Sequence, residues 1–126
     1  MGINKDLGLP FGDGMERVAV CFDVDGTLLN TENPKDIIDY TDVAELLYLL
    51  SRFKNVHIIV WSGGGKEYAE TMYNRHIDNE QVLGVNPKFY SKLQYDEVRE
   101  KYDKIIAIDD VQDTRLGDIN LIVRNK

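Results

Sequence analysis

The run Val18-Ala19-Val20-Cys21-Phe22 is apolar throughout and then stops at Asp23-Val24-Asp25-Gly26-Thr27. A short, continuously apolar run reads as a strand covered on both faces, which places it in the middle of a parallel sheet. Its end sets two carboxylates one residue apart at the rim of an apolar layer. Like charges there repel and lose hydration, so the pattern calls for a cation between them.

The rest of the chain alternates strand and helix patterns. After a loop from Gly26 to about Tyr40, Asp42 is expected to cap a helix with Glu45 as its capping partner, and Val43, Leu46, Leu47 and Leu50 follow a buried helical face to about Phe53. A second buried strand, Val56 to Trp61, ends at Ser62-Gly63-Gly64-Gly65 and feeds a helix with Tyr68, Ala69, Met72 and Tyr73 as its apolar positions. Residues 82–85 are expected to form a short third strand. A third helix over about 93–102 is expected to bury Leu93, Tyr95, Val98 and Tyr102. Ile105 to Ile108 is a fourth strand ending in Asp109-Asp110, and Leu121 to Val123 a fifth. This alternation predicts an α/β fold, doubly wound in three layers, with a mainly parallel five-stranded sheet, a Rossmann-like core and right-handed crossovers.

Length allows one domain. Residues 1–17 carry Gly2, Gly8, Pro10, Gly12 and Gly14 without periodicity and are expected to form an extended arm, folding near the site as a partial lid, before a catalytic domain over 18–126. The single cysteine, Cys21, sits inside the first strand, which fits a small buried hydrophobe in a reducing, cytoplasmic compartment. No apolar run approaches the roughly 20 residues that cross a bilayer, and no membrane partner is expected. With 22 acids against 15 Lys and Arg, the net charge of −7 argues against a nucleic-acid surface, though a local basic patch could persist.

Ligands of open parallel sheets bind outside the carboxyl ends of the strands. Three strands finish there in polar groups: Asp23/Asp25, Ser62 with its glycines, and Asp109/Asp110. Clustered carboxylates suit magnesium, which also binds substrate phosphate. One carboxylate can attack phosphorus while a second moves the proton. Ser62, the amides that follow it and a lysine can hold phosphoryl oxygens.

Asp23-Val24-Asp25-Gly26-Thr27 resembles the first motif of the haloacid dehalogenase (HAD) superfamily, and the order of strand ends over residues 18–123 resembles that family throughout. The resemblance implies a magnesium-dependent phosphatase in which Asp23 is nucleophile and metal ligand. Asp25 is then the general acid/base, its backbone carbonyl also reaching the metal. Thr27 braces the loop, and with Ser62 and Gly63 it completes the substrate-binding set. Asp109 and Asp110 resemble the acidic fourth motif that holds magnesium, with Asp113 as an additional acid. The family's lone lysine is either Lys92, 17 positions before Asp109, or Lys88, 21 before it; Lys92 is favoured because Ser91-Lys92 stands where the third helix begins.

Neither family insertion point leaves room for a cap domain. The expected substrate is therefore a phosphorylated molecule that can be bulky. Phosphorylated nucleotide or nucleic-acid termini, and a catalytically silent phosphate-binding domain, stand as alternatives. His57 is read as a packed or edge histidine, His76 as a cation at a helix C-terminus, and Trp61 as core.

Overall fold

The computed structural model describes residues 15–111 and 116–124. It is an α/β fold around a five-stranded sheet that is parallel throughout. The elements are β1 (Val18–Asp23), β2 (Leu29–Asn30), β3 (Ile38–Asp39), α1 (Thr41–Ser51), β4 (Val56–Ser62), α2 (Lys66–His76), β5 (Lys88–Ser91), α3 (Tyr95–Lys101), β6 (Lys104–Asp109) and β7 (Ile119–Ile122). The sheet runs in the order β5-β4-β1-β6-β7, so β1 is central. The chain steps outward from β1 through β4 to β5, then crosses to β6 on the other side. The direction of winding reverses at the β1/β6 seam, where a crevice opens at the strand ends.

Alternating side chains of the same strands build two separate cores. On one face Val20, Phe22, Ile58 and Val60 meet Val43, Ala44 and Leu47 of α1 and Ala69 and Tyr73 of α2. On the other, Ala19, Cys21, Ile59, Trp61, Ile105 and Ala107 meet Val98 of α3 and Tyr102. Each large side chain so buried contributes about 1.5–3 kcal/mol. Trp61 belongs to this core and is 1% exposed. Burial pushes the Cys21 thiol well above its ordinary value. His57 packs edge-on against Tyr102 and shares a 2.8 Å hydrogen bond with its hydroxyl.

Several expected elements are corrected. Residues 82–84 form a 3₁₀ turn, because the Asn79 carbonyl accepts from Val82 and Leu83 and its side chain accepts from Gln81. The outer strand is instead β5, starting just after Pro87. Asp42 does not cap α1. The helix starts two residues earlier, straight out of β3, with Tyr40 at its N-cap and no side-chain cap, and Asp42 accepts from the Val43 amide and pairs with Arg124. The third helical segment begins as a 3₁₀ turn over Lys92–Gln94, which breaks the α-helical phase and leaves Leu93 90% exposed. Within the loop after β1, β2 and β3 pair as an antiparallel ladder. The expected arm over 1–17 falls mostly outside the described residues, as does Asp113. Among the described residues, no helix is long and apolar enough to cross a membrane.

Candidate functional site at the β1/β6 seam

The loop after β1 is wound by a single carbonyl. Val24 O accepts from the amides of Thr27, Leu28 and Leu29 at 3.3, 3.1 and 3.0 Å, while Val24, Leu28 and Leu29 anchor it in the core. Gly26 makes this turn at φ +80°, a region open to glycine. A Cβ at Gly26 would also lie 2.7 Å from the Asp110 carboxyl carbon. The missing side chain leaves room for the Asp110 carboxylate against the β1 loop.

Asp23, Asp109 and Asp110 meet there. One carboxylate oxygen from each lies within 4.8 Å of the others. Lys92 joins them, its Nζ 2.7 Å from Asp23 Oδ1 and 2.6 Å from Asp109 Oδ2. The lysine is placed by a capping box: Ser91 Oγ accepts from the Leu93 amide and Gln94 Oε1 from the Ser91 amide. Lys88, by contrast, begins β5 opposite Ile59, three residues before the Ser62–Ser91 pair at the site end of these strands.

Asp23 is nearly buried, and its second oxygen accepts from Thr27 Oγ1 at 3.2 Å. Thr27 is fully buried, so its hydroxyl serves this carboxylate rather than the open cleft. Burial raises the Asp23 pKa to about 7, with Lys92 pulling it down and the charges of Asp109 and Asp110 pushing it further up. Burial likewise raises Asp110. For Lys92 burial works toward neutrality, but the combined attraction of Asp23 and Asp109 wins and holds its pKa above the ordinary value. With all three carboxylates ionised, the one ammonium leaves a formal charge of −2 in a partly buried space. Like charges about 5 Å apart repel by roughly 3 kcal/mol at an effective dielectric near 20. One divalent cation with oxygen ligands fits both this charge and this donor set.

The remaining site residues surround the trio. Asp25 is exposed, and its carboxylate accepts from Tyr68 Oη at 2.8 and 3.1 Å. Ser62 closes β4, one residue beyond the Trp61 that pairs with Asp23. It is buried, with Oγ accepting from the Gly64 amide at 2.9 Å. Gly63 is exposed and a Cβ there would touch nothing. Beside Asp25 and Asp110 a cleft of about 450 Å³ opens, walled by Asn30, Glu32, Tyr40 and Arg124. Arg124 stacks on Tyr40 at 3.6 Å from the ring centre.

Tyr68 is the residue that pattern reading missed. Its apolar spacing assigns it to the core, yet it is 36% exposed and bonded to Asp25, with burial first and then Asp25 raising its pKa to about 12. The only signal was its place two residues into a helix that follows Ser-Gly-Gly-Gly. Comparison with protein-family models, with curated proteins and with solved structures gives no match.

Proposed function

We propose that this chain is a magnesium-dependent phosphomonoester hydrolase of the HAD type, doubly wound and without a cap domain. The observation that carries the reading is the nearly buried Asp23, clustered with Asp109 and Asp110 and neutralised only in part by Lys92. Such charge crowding beside a cleft marks a functional site more than a structural ion pair.

Asp23, Asp109 and Asp110 would hold the metal, with the Asp25 backbone carbonyl. When bound, magnesium offsets the carboxylate repulsion and withdraws charge from the phosphoryl oxygens. The chain's own residues carry the steps. An Asp23 oxygen attacks phosphorus and forms an acyl phosphate. The bond to the leaving oxygen breaks, its electron pair goes to that oxygen, and the Asp25 carboxyl gives it a proton. Water then attacks the same phosphorus and yields its proton to the Asp25 carboxylate. The Asp23–phosphorus bond breaks, releasing phosphate and restoring both carboxyl groups. Ser62 and Lys92 hold the phosphoryl oxygens through the charge build-up.

The connections over 24–40 and 92–103 hold only the β2/β3 ladder and the α3 segment. Among the described residues no folded cap covers the site, which suits bulky phosphorylated substrates. The test is phosphate release from an aryl phosphate, a sugar phosphate, a nucleotide and a phosphorylated oligonucleotide, with and without magnesium. The reading requires magnesium-dependent release that Asp23→Asn abolishes and Asp25→Asn lowers; metal and phosphate binding without turnover would replace it with a silent binding domain.

A further inference from the structure

Asp25 departs from the other site acids in that its carboxylate contacts a phenol. Both of its oxygens lie within hydrogen-bonding distance of Tyr68 Oη, 43 residues away in sequence. Tyr68 stands near the start of α2, and its ring lies along the glycine loop. A Cβ on Gly64 would come within 3.3 Å of the Tyr68 ring and 3.4 Å of Ser62 Oγ, so Gly64 lets the ring and the Ser62 hydroxyl approach the same point. The helix thus keeps a large aromatic ring at the surface where Ala69 and Tyr73 of α2 are buried.

We propose that Tyr68 is a positioning residue for proton transfer, fixing the Asp25 carboxyl group toward the leaving-group oxygen. This inference rests on the phosphatase reading of the site. An exposed aspartate turns freely about two side-chain bonds. A donor that meets both oxygens from a helix removes that freedom, and orientation of a reacting group is worth large factors in rate. The contact ties the Asp25 loop to the helix that follows Ser62, so the proton donor and the phosphate-binding hydroxyl are set relative to one another. Tyr68 itself neither receives nor delivers the transferred proton.

The leaving group supplies the discriminating experiment. An alkyl phosphate expels a strongly basic oxygen and depends on a well-placed acid; p-nitrophenyl phosphate expels a stable phenolate and depends on it little. With magnesium present, Tyr68→Phe is expected to lower kcat on the alkyl ester about tenfold at unchanged KM, and to change the aryl ester far less. In an Asp25→Asn background the same change should cost nothing further, since the two residues act as one unit. Magnesium affinity measured by calorimetry and the melting temperature should both stay at wild-type values in Tyr68→Phe. Equal losses on both esters, no loss on either, or a loss that adds to that of Asp25→Asn would overturn the inference while leaving the phosphatase reading intact. A wild type that releases no phosphate from either ester, or an Asp23→Asn variant as active as wild type, would overturn the reading beneath it, and this inference with it.

Discussion

Acids stand beside both ends of strand β6, Asp118 from the segment before β7 at its start and Asp109 of β6 itself at its finish, and their surroundings are opposite in kind. At its start Asp118 meets Arg99 in a bidentate pair at 2.6 and 2.8 Å and accepts from the Ile105 amide at 2.8 Å. The Arg99 guanidinium holds its pKa down to about 2. At its finish Asp109 joins Asp23 and Asp110 around a single ammonium, and burial lifts Asp23 to about 7. One end matches charge for charge and is complete as it stands. The other concentrates excess negative charge out of water, an arrangement that stability alone does not favour.

The sharpest way to break this contrast is to neutralise one acid at each end. Asp23→Asn is expected to lower magnesium-dependent phosphate release by about 10³-fold or more, as loss of a nucleophile does. Asp118→Asn should leave kcat unchanged and lower the melting temperature; if it reduced turnover as Asp23→Asn does, the two ends would not differ in kind. The next effect distinguishes two lysines. Lys92→Ala should lower kcat by about 10²–10³-fold, the range for losing a group that stabilises developing charge, while Lys88→Ala is silent. Steady-state kinetics on both variants decides it.

Gly26→Ala tests the closeness of the loop and the β6 end. Its left-handed backbone and the overlap with Asp110 should cost about 1–3 kcal/mol in urea unfolding and weaken magnesium binding about tenfold by calorimetry. A smaller effect concerns pH. Folded Asp23 keeps its proton to about pH 7 against an ordinary value of 3.8, so the folded chain binds more protons than the unfolded chain between these limits. Metal-free stability from this group therefore falls as pH rises from 3.8 toward 7, and Asp23→Asn removes that decline. Asp118 runs the other way: its contribution is complete above 3.8 and is lost as pH falls through about 2. Melting curves of the metal-free proteins from pH 4 to 8 would overturn the assignment if wild type gained stability relative to Asp23→Asn. Least of all, Leu93→Ser should shift stability by less than about 0.5 kcal/mol, because that side chain is already in water.

The central strands were legible because β1, β4 and β6 are apolar on both faces, a pattern that few other structures require. Their polar ends were legible for the same reason, since an acid at the end of such a run has nowhere else to go. The preference for Lys92 also rested on a local signal, Ser91 at the start of a turn. What escaped was set by distant partners. Arg124 draws on Asp42 from 82 residues away, and Tyr68 reaches Asp25 from 43. The apolar residues at 82–85 look strand-like alone, but Asn79 winds them into a turn before Pro87 releases the chain into β5. Leu93 fits a helical period that the 3₁₀ turn interrupts.

The sole cysteine lies at the middle of the central strand, hydrogen-bonded neighbours on either side and no surface of its own. No loop movement at the rim uncovers it; the α3 layer must lift from the sheet, or β1 must part from β4 or β6. The protein therefore carries its own clock for opening: the rate at which a thiol reagent labels Cys21 under native conditions measures how often this core comes apart. Magnesium should slow that clock if it clasps the ends of β1 and β6 together, which makes a buried thiol a gauge of occupancy at the acidic site.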